Sequence, residues 1–255
     1  MRGTGSKRHP ERTTKEKGQK LRMNIIRARL EEGAKEATGL AVIIDVFRAF
    51  TCAPLFFYLD AKEVILEEDP SKALSLKQES PGSILVGEVN EVPIEGGDAG
   101  NSPSEIIQKG EKFFKGRTVI HRTTAGVRGA VMAQGGADLV LAGSFVMAKA
   151  IAEFIKRNRP KTVTLVAMGD RAKARAPEDE ACADYLEHLL TGAPYDHIHT
   201  LSKVVFQPTA QKFIQGTIPY LPREDPIFCL QRDLFRMVLK VEKRKGKFQL
   251  VPIEI

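Results

Sequence analysis

The sequence predicts an α/β fold, with a three-layer sheet carrying helices on both faces, a helical C-terminal portion and a terminal β-hairpin. Three observations predict it. Apolar, β-rich runs alternate with stretches of helical type from residue 40 to residue 167, the pattern of βαβ units. The runs are continuous rather than alternating, as in strands covered on both sides. Hydrophobic residues make up 42% of the 255 residues, enough to fill the core of one large domain.

The strands are expected at Leu40–Val46, Glu63–Leu66, Ser83–Val86, Arg117–Ile120, Asp138–Leu141 and Thr162–Ala167. Helices are expected at Ala73–Gln78, Pro103–Phe114, Val127–Gln134 and Phe145–Arg157. In the last of these, Phe145, Ala148, Ile151, Ala152 and Ile155 recur at a spacing of three and four, which puts one apolar stripe on a helix. After Gly169 the pattern changes. A helix is expected over Glu178–Leu190, with Pro177 at its start and Gly192 beyond its end. Further helices are expected at Pro208–Gln215 and Pro226–Arg232, and Phe235–Lys240 with Lys247–Ile255 reads as a hairpin.

The formal charge is +7, but residues 1–22 hold +6 of it and the rest of the chain only +1. That basic segment is almost free of apolar residues before Leu21, so a solvated, disordered tail is expected, followed by a single α/β domain over residues 23–255. Nucleic acid is not expected as a partner of so nearly neutral a body. If it were, the tail would carry the contact. Asp45 and Arg48 interrupt the longest apolar stretch, and charges at a bilayer centre cost about 2.5–3.5 kcal/mol each, so no membrane span is expected. Cys52, Cys182 and Cys229 form no zinc-type cluster and suit a reducing cytoplasm. A homo-oligomer is left open.

Polar clusters follow the strands. Asp45 and Arg48 end the run Ala41–Ala49. A carboxylate there can hold a metal cation and an arginine an anionic oxygen; a capping Asp45 and an Arg48 paired to an acid is the structural alternative. Gly87-Glu88 precedes a glycine-rich loop, Gly96-Gly97-Asp98-Ala99-Gly100-Asn101-Ser102-Pro103, where Ser102 can cap a helix whose free N–H groups face an anion. His121-Arg122-Thr123-Thr124-Ala125-Gly126-Val127-Arg128 holds the parts of a phosphate cradle, or simply an N-cap with solvated arginines. Glu178-Asp179-Glu180 complements a helix dipole and can also complete a hard oxygen site for Mg2+. There is no P-loop, no GxSxG elbow and no HExxH.

In order, these segments resemble the 2-phosphosulfolactate phosphatase family, Mg2+-dependent enzymes associated with coenzyme M biosynthesis. The likeness runs through Asp45-Val46-Phe47-Arg48-Ala49-Phe50-Thr51, Gly87-Glu88, Gly96 to Pro103, Thr123 to Arg128, Gly143-Ser144-Phe145, Glu178-Asp179 with Cys182-Ala183, and Glu224 through Asp233. It spans about Leu40 to Pro252. The resemblance implies Asp45, Glu178 and Asp179 for the metal region, with Asp45, Arg48 and Glu178 catalytic. It implies Arg48, Asn101, Ser102, Thr123, Thr124, Gly126 and Arg128 for an anionic substrate. This chain departs from the family at Val89, where the family has arginine, and at Ala125, Val127 and Gly97. Arg122 and His121 are the groups placed to compensate. The expected activity is Mg2+-dependent hydrolysis of a small anionic phosphoester, with 2-phosphosulfolactate first. A phosphatase of another phosphorylated hydroxy acid or sugar phosphate, or a non-catalytic anion-binding protein, is the alternative.

Overall fold

The computed structural model describes residues 23–255; the basic segment 1–22, expected as a disordered tail, lies outside the described residues. In chain order the elements are β1 (Asn24–Arg29), α1 (Leu30–Lys35), β2 (Leu40–Ile44), α2 (Ala49–Tyr58), β3 (Glu63–Leu66), α3 (Pro70–Glu79), β4 (Ile84–Val89), β5 (Val92–Pro93), α4 (Pro103–Lys109), α5 (Glu111–Phe114), β6 (Thr118–Arg122) and α6 (Gly126–Ala133). There follow β7 (Leu139–Gly143), a 3-10 turn at Phe145–Met147, α7 (Ala148–Asn158), β8 (Thr162–Ala167), α8 (Pro177–Thr191), α9 (His197–Val205), α10 (Pro208–Ile214), α11 (Asp225–Cys229), β9 (Met237–Arg244) and β10 (Lys247–Glu254).

The six expected strands all form, within a few residues of their expected ends. The expected helix Pro103–Phe114 is two helices, because Gly110 takes a φ of +69° between them and turns the chain. The expected helix Phe145–Arg157 is a 3-10 turn at Phe145–Met147 followed by α7, and its apolar stripe is buried at every position named for it. Helix α2 went unread. Its residues Ala49 to Phe56 are all buried, so it has no polar face to give it a period.

Among the described residues, ten strands share one sheet, in the order β1-β8-β2-β7-β9-β10-β3-β6-β4-β5. β1, β8, β2 and β7 form one parallel block. β3, β6 and β4 form a second. The terminal hairpin β9–β10 is wedged between them, antiparallel to β7 on one side and to β3 on the other. Helices α1 and α6 pack on each other and on the first block, as do α7 and α8. Every residue of β2 is buried accordingly. Among the described residues, no helix is long and apolar enough to cross a membrane.

The hairpin reverses one block against the other. Three antiparallel interfaces in succession leave β3, β6 and β4 running opposite to β2, β7 and β8. In a flat sheet their carboxyl ends would lie at opposite rims. Five steps separate β2 from β6, and each turns the sheet by about 10–35°. The accumulated twist swings the two carboxyl edges toward each other, and the cavity described below lies between them.

One internal repair explains Ser144. Pro54 lies inside α2 and has no N–H to give to the carbonyl of Phe50, four residues back. The Ser144 hydroxyl, just beyond β7, donates to that buried carbonyl at 2.8 Å. Ser144→Ala should therefore cost about 1–3 kcal/mol, the penalty of an unsatisfied buried acceptor. In a double-mutant cycle by urea denaturation, Pro54→Ala should recover most of that loss, since residue 54 then has its own N–H. Strictly additive effects would refute the repair.

Candidate active site

The loops at the carboxyl ends of β2, β4, β6 and β8, together with α10, enclose a polar cavity. It is lined by Asp45, Arg48, Glu88, Glu91, Asn101, Thr123, Thr124, Asp170, Arg171, Glu178, Asp179 and Lys212, among others. Asp45 sits one residue past β2, between the N-termini of two helices. The N–H of Ala49, first in α2, donates to its Oδ1 at 3.2 Å, and Gly126, first in α6, packs closely against the same carboxylate. A Cβ on Gly126 would come within 2.7 Å of Asp45 Oδ2, so only glycine lets α6 approach this carboxylate.

The three acids opening α8 point three ways. Glu178 faces the cavity and accepts from Thr209 Oγ1 at 2.9 Å through Oε2. Asp179 bridges two strand ends, accepting from the N–H of Val46 and the N–H of Gly169, each at 2.8 Å. Glu180 turns outward to Arg27 and Arg29 on β1. Burial pushes the Asp45 carboxyl up to about 6, with Glu88 adding to the rise, and Glu178 up to about 7, with Asp45 adding. Asp179 is raised too, by burial and then by Asp45 and Glu178. This is a crowd of carboxylates out of water, whose repulsion Arg48 and Lys212 offset only in part.

Arg48 lies at the cavity wall but is already paired. Its Nη1 donates to Asp225 at 2.9 Å and to the Tyr220 carbonyl at 3.1 Å, and the guanidinium lies over the Phe213 ring. Asp225, fully buried, also accepts from Ser102 Oγ at 2.8 Å, Ser104 Oγ at 2.6 Å and the N–H of Ser104 at 3.2 Å. Ser102 caps α4 as expected, through Glu105 N. The anion at that helix N-terminus, however, is the protein's own Asp225. Ser102 consequently does not line the cavity, whereas its neighbour Asn101 does.

The loop after β6 is similarly committed. Thr124 gives its N–H and its hydroxyl to the two Glu88 oxygens at 2.6 and 3.0 Å. Thr123 Oγ1 accepts from Val127 N at 3.1 Å and keeps its own hydrogen to give. Arg128 is on the far side of α6, half-exposed and paired with Glu31 at 3.2 Å, and does not line the cavity. Nor do the groups placed to compensate for Val89. Arg122 is bound to the carbonyls of Glu68 and Glu88. His121 is wholly buried beside Phe56, with its ring Nε2 3.1 Å from Asn101 Oδ1. Burial drives its imidazole down to about 3, so it is neutral near pH 7. With Nε2–H given to Asn101 Oδ1, the Asn101 amide nitrogen is left for the cavity.

The mouth is set by residues that sequence reasoning missed. Glu91, in the turn between β4 and β5, is paired with Arg171 at 3.2 Å and with Lys212 of α10. Lys212 is also close enough to Glu178 to favour its charged form. Thr209 and Lys212 had no signal in the sequence, because a lone threonine and lysine on a surface helix look like any others.

The donor set suits a hard cation. Mg2+ takes one or two carboxylates and keeps several waters, and Asp45 with Glu178 can supply those. Among the described residues, no three His, Cys, Asp or Glu side chains converge as a ready-made metal cage. Asp179, with both oxygens taken by backbone N–H groups, stands behind the pair.

Residues 26–244 match the family model described as 2-phosphosulpholactate phosphatase. A probable 2-phosphosulfolactate phosphatase of Bacillus subtilis (strain 168) is 29% identical over 205 residues, 79% of this chain and 86% of that protein. One from Caldanaerobacter subterraneus subsp. tengcongensis is 30% identical over 214 residues, 79% and 87% of the two chains. One from Thermoplasma acidophilum is 27% identical over 207 residues, 80% and 88%.

Two expectations follow from the geometry. Asp225→Ala strands a buried guanidinium and three further donors, so urea denaturation should report a loss of about 3–5 kcal/mol, against about 1 kcal/mol for Ser104→Ala; equal losses would dismiss Asp225 as a hub. His121 is neutral when folded but titrates near 6.5 when unfolded. The unfolded chain then binds the extra proton, so this contribution is whole above pH 6.5 and is lost on acidification toward pH 3, at up to ~1.4 kcal/mol per pH unit. Stability measured from pH 7 to 4 should fall less steeply in His121→Leu than in the wild type.

Proposed function

We infer the reaction from one premise: the chain belongs to the 2-phosphosulpholactate phosphatase family and with it is a phosphoric monoester hydrolase. We propose that its substrate is 2-phosphosulfolactate, hydrolysed to sulfolactate and phosphate with Mg2+ as cofactor. The observation that carries this reading is the convergence of Asp45, Arg48, Asn101, Thr123 and Glu178, from three separate loops and the start of α8, on one cavity.

In this proposal the phosphoryl group enters between the Arg48 guanidinium, the Asn101 amide and the Thr123 hydroxyl, which donate to its oxygens. Arg48 brings little mobility to that task, since Asp225 and Phe213 fix it from behind. Asp45 and Glu178 would hold Mg2+, and Asp179 keeps the strand ends that carry them at a fixed separation. The ion would supply neutralisation of charge developing on the phosphoryl oxygens and a more acidic water. Glu178 Oε1 would hold the attacking water by accepting a hydrogen bond from it. The lining carries six carboxylates, Asp45, Glu88, Glu91, Asp170, Glu178 and Asp179, against three cations, Arg48, Arg171 and Lys212. A dianionic phosphoester would be repelled by that balance, which is why a metal cofactor belongs to the reading. Thr124, Gly126 and Ser102 shape or support the wall rather than touch substrate, and Arg128 stands outside the site, paired with Glu31. A cytoplasmic enzyme of coenzyme M biosynthesis is the wider setting we propose.

Phosphate release from 2-phosphosulfolactate should be lost on chelation and restored by Mg2+. Asp45→Asn and Glu178→Gln should each lower kcat by about 10²–10⁴-fold. In single-turnover hydrolysis in oxygen-labelled water, the label should appear in phosphate. Wild-type turnover in both variants would remove the proposed metal site.

A further inference from the structure

The mouth of the cavity departs from local backbone rules on both sides of one ion pair. Glu91 occupies the tight turn between β4 and β5 with a φ of +76°, after Asn90 at +50°. Such turns favour asparagine and glycine, and a glutamate at positive φ is strained. Across the mouth Arg171 has a φ of +51° and Ala172 one of +57°. Non-glycine residues keep such conformations where the surrounding structure holds them, and they gather at ligand sites. Here the strain aims a carboxylate and a guanidinium at each other, 3.2 Å apart, over a polar cavity.

Glu91 serves both Arg171 and Lys212, and Asp170 reaches Arg171 at 3.9 Å. Arg48, deeper, is matched by the buried Asp225. The two lining cations without a fully buried partner therefore sit at the mouth of the cavity. These pairs are also partly solvent-exposed, with Arg171 47% and Glu91 23% accessible, and ion pairs in contact with water are weak and exchangeable.

Resting on the phosphatase reading above, we propose that Arg171 and Lys212 form the subsite for the substrate's second anionic group, a carboxylate or sulfonate, and that Glu91 is a built-in competitor for it. With the phosphoryl end held by Arg48, Asn101 and Thr123, the acid end of a short substrate extends to the mouth. It displaces Glu91 from the two cations. A phosphomonoester without a second anion leaves that pairing in place and forgoes the contact. The subsite thus selects phosphorylated acids over simple phosphoesters.

The test compares wild type, Glu91→Gln and Arg171→Met/Lys212→Met with Mg2+, on 2-phosphosulfolactate and on phenyl phosphate. Titration calorimetry with sulfolactate, which has no phosphoryl group to lose, runs in parallel. Glu91→Gln should lower KM for 2-phosphosulfolactate severalfold, with the effect in KM rather than kcat, and tighten sulfolactate binding. The double variant should cut the preference for 2-phosphosulfolactate over phenyl phosphate at least tenfold and weaken sulfolactate by a similar factor. An unchanged preference with unchanged sulfolactate affinity in both variants overturns the subsite, as does a wild type that binds no sulfolactate. If the wild type hydrolyses neither ester at any Mg2+ concentration while sulfolactate affinity still follows the variants, the hydrolytic reading fails and the subsite stands.

Discussion

The cavity depends on the three antiparallel interfaces that surround β9 and β10. Without them the sheet is two unconnected parallel blocks. With them, one block is reversed against the other, and twist brings together carboxyl ends that a flat sheet would hold apart. Ligands in α/β sheets normally bind beyond the carboxyl ends of strands in one parallel set. Here two such edges face each other, so Asp45 and Asp179 come from one block and Glu88 and Thr123 from the other. The acid-rich character of the site is a product of that meeting.

Buried charge holds the site in place. Asp179 ties the end of β2 to the end of β8 through two backbone N–H groups. Asp225 ties the loop after β2 to the start of α4 and to the C-terminal helices. Both are carboxylates at positions where a hydrophobic residue would pack but could not accept these bonds. Removing either leaves several donors bare at once, which makes their geometry all-or-none. Arg48 benefits directly: a side chain with several rotatable bonds is fixed before any anion arrives.

Much of the fold was legible because covered parallel strands write themselves as unbroken apolar runs, as Leu40–Ile44 and Thr162–Ala167 do. What was not legible lacked a period. Strand β1 mixes Arg27 and Arg29 with apolar residues, α1 is a six-residue helix, and α2 is apolar all round. The site divides in the same way. Asp45, Asn101, Thr123 and Glu178 lie just after strands or at a helix start, where sequence position alone suggests function. Ser102, Gly126 and Arg128 share those positions, yet Asp225, Asp45 and Glu31 engage them first. Proximity along the chain cannot reveal a partner more than a hundred residues away, as Asp225 is from Ser102. That the clusters after the strands meet across two facing edges is likewise hidden, since the hairpin's place in the strand order is not written in its sequence.

The wedge position of β9–β10 also bears on biosynthesis. These strands follow every other strand in the chain, so a nascent polypeptide emerging from the ribosome exposes the open edges of β7 and β3 until residues 237–254 appear. Unsatisfied strand edges invite pairing with other chains. The two blocks are orphans in the meantime, each recruitable by a chaperone or by a neighbouring polysome product. The pocket is complete only on closure, so a chain cut short before that point would leave both edges open and the two halves of the site unjoined.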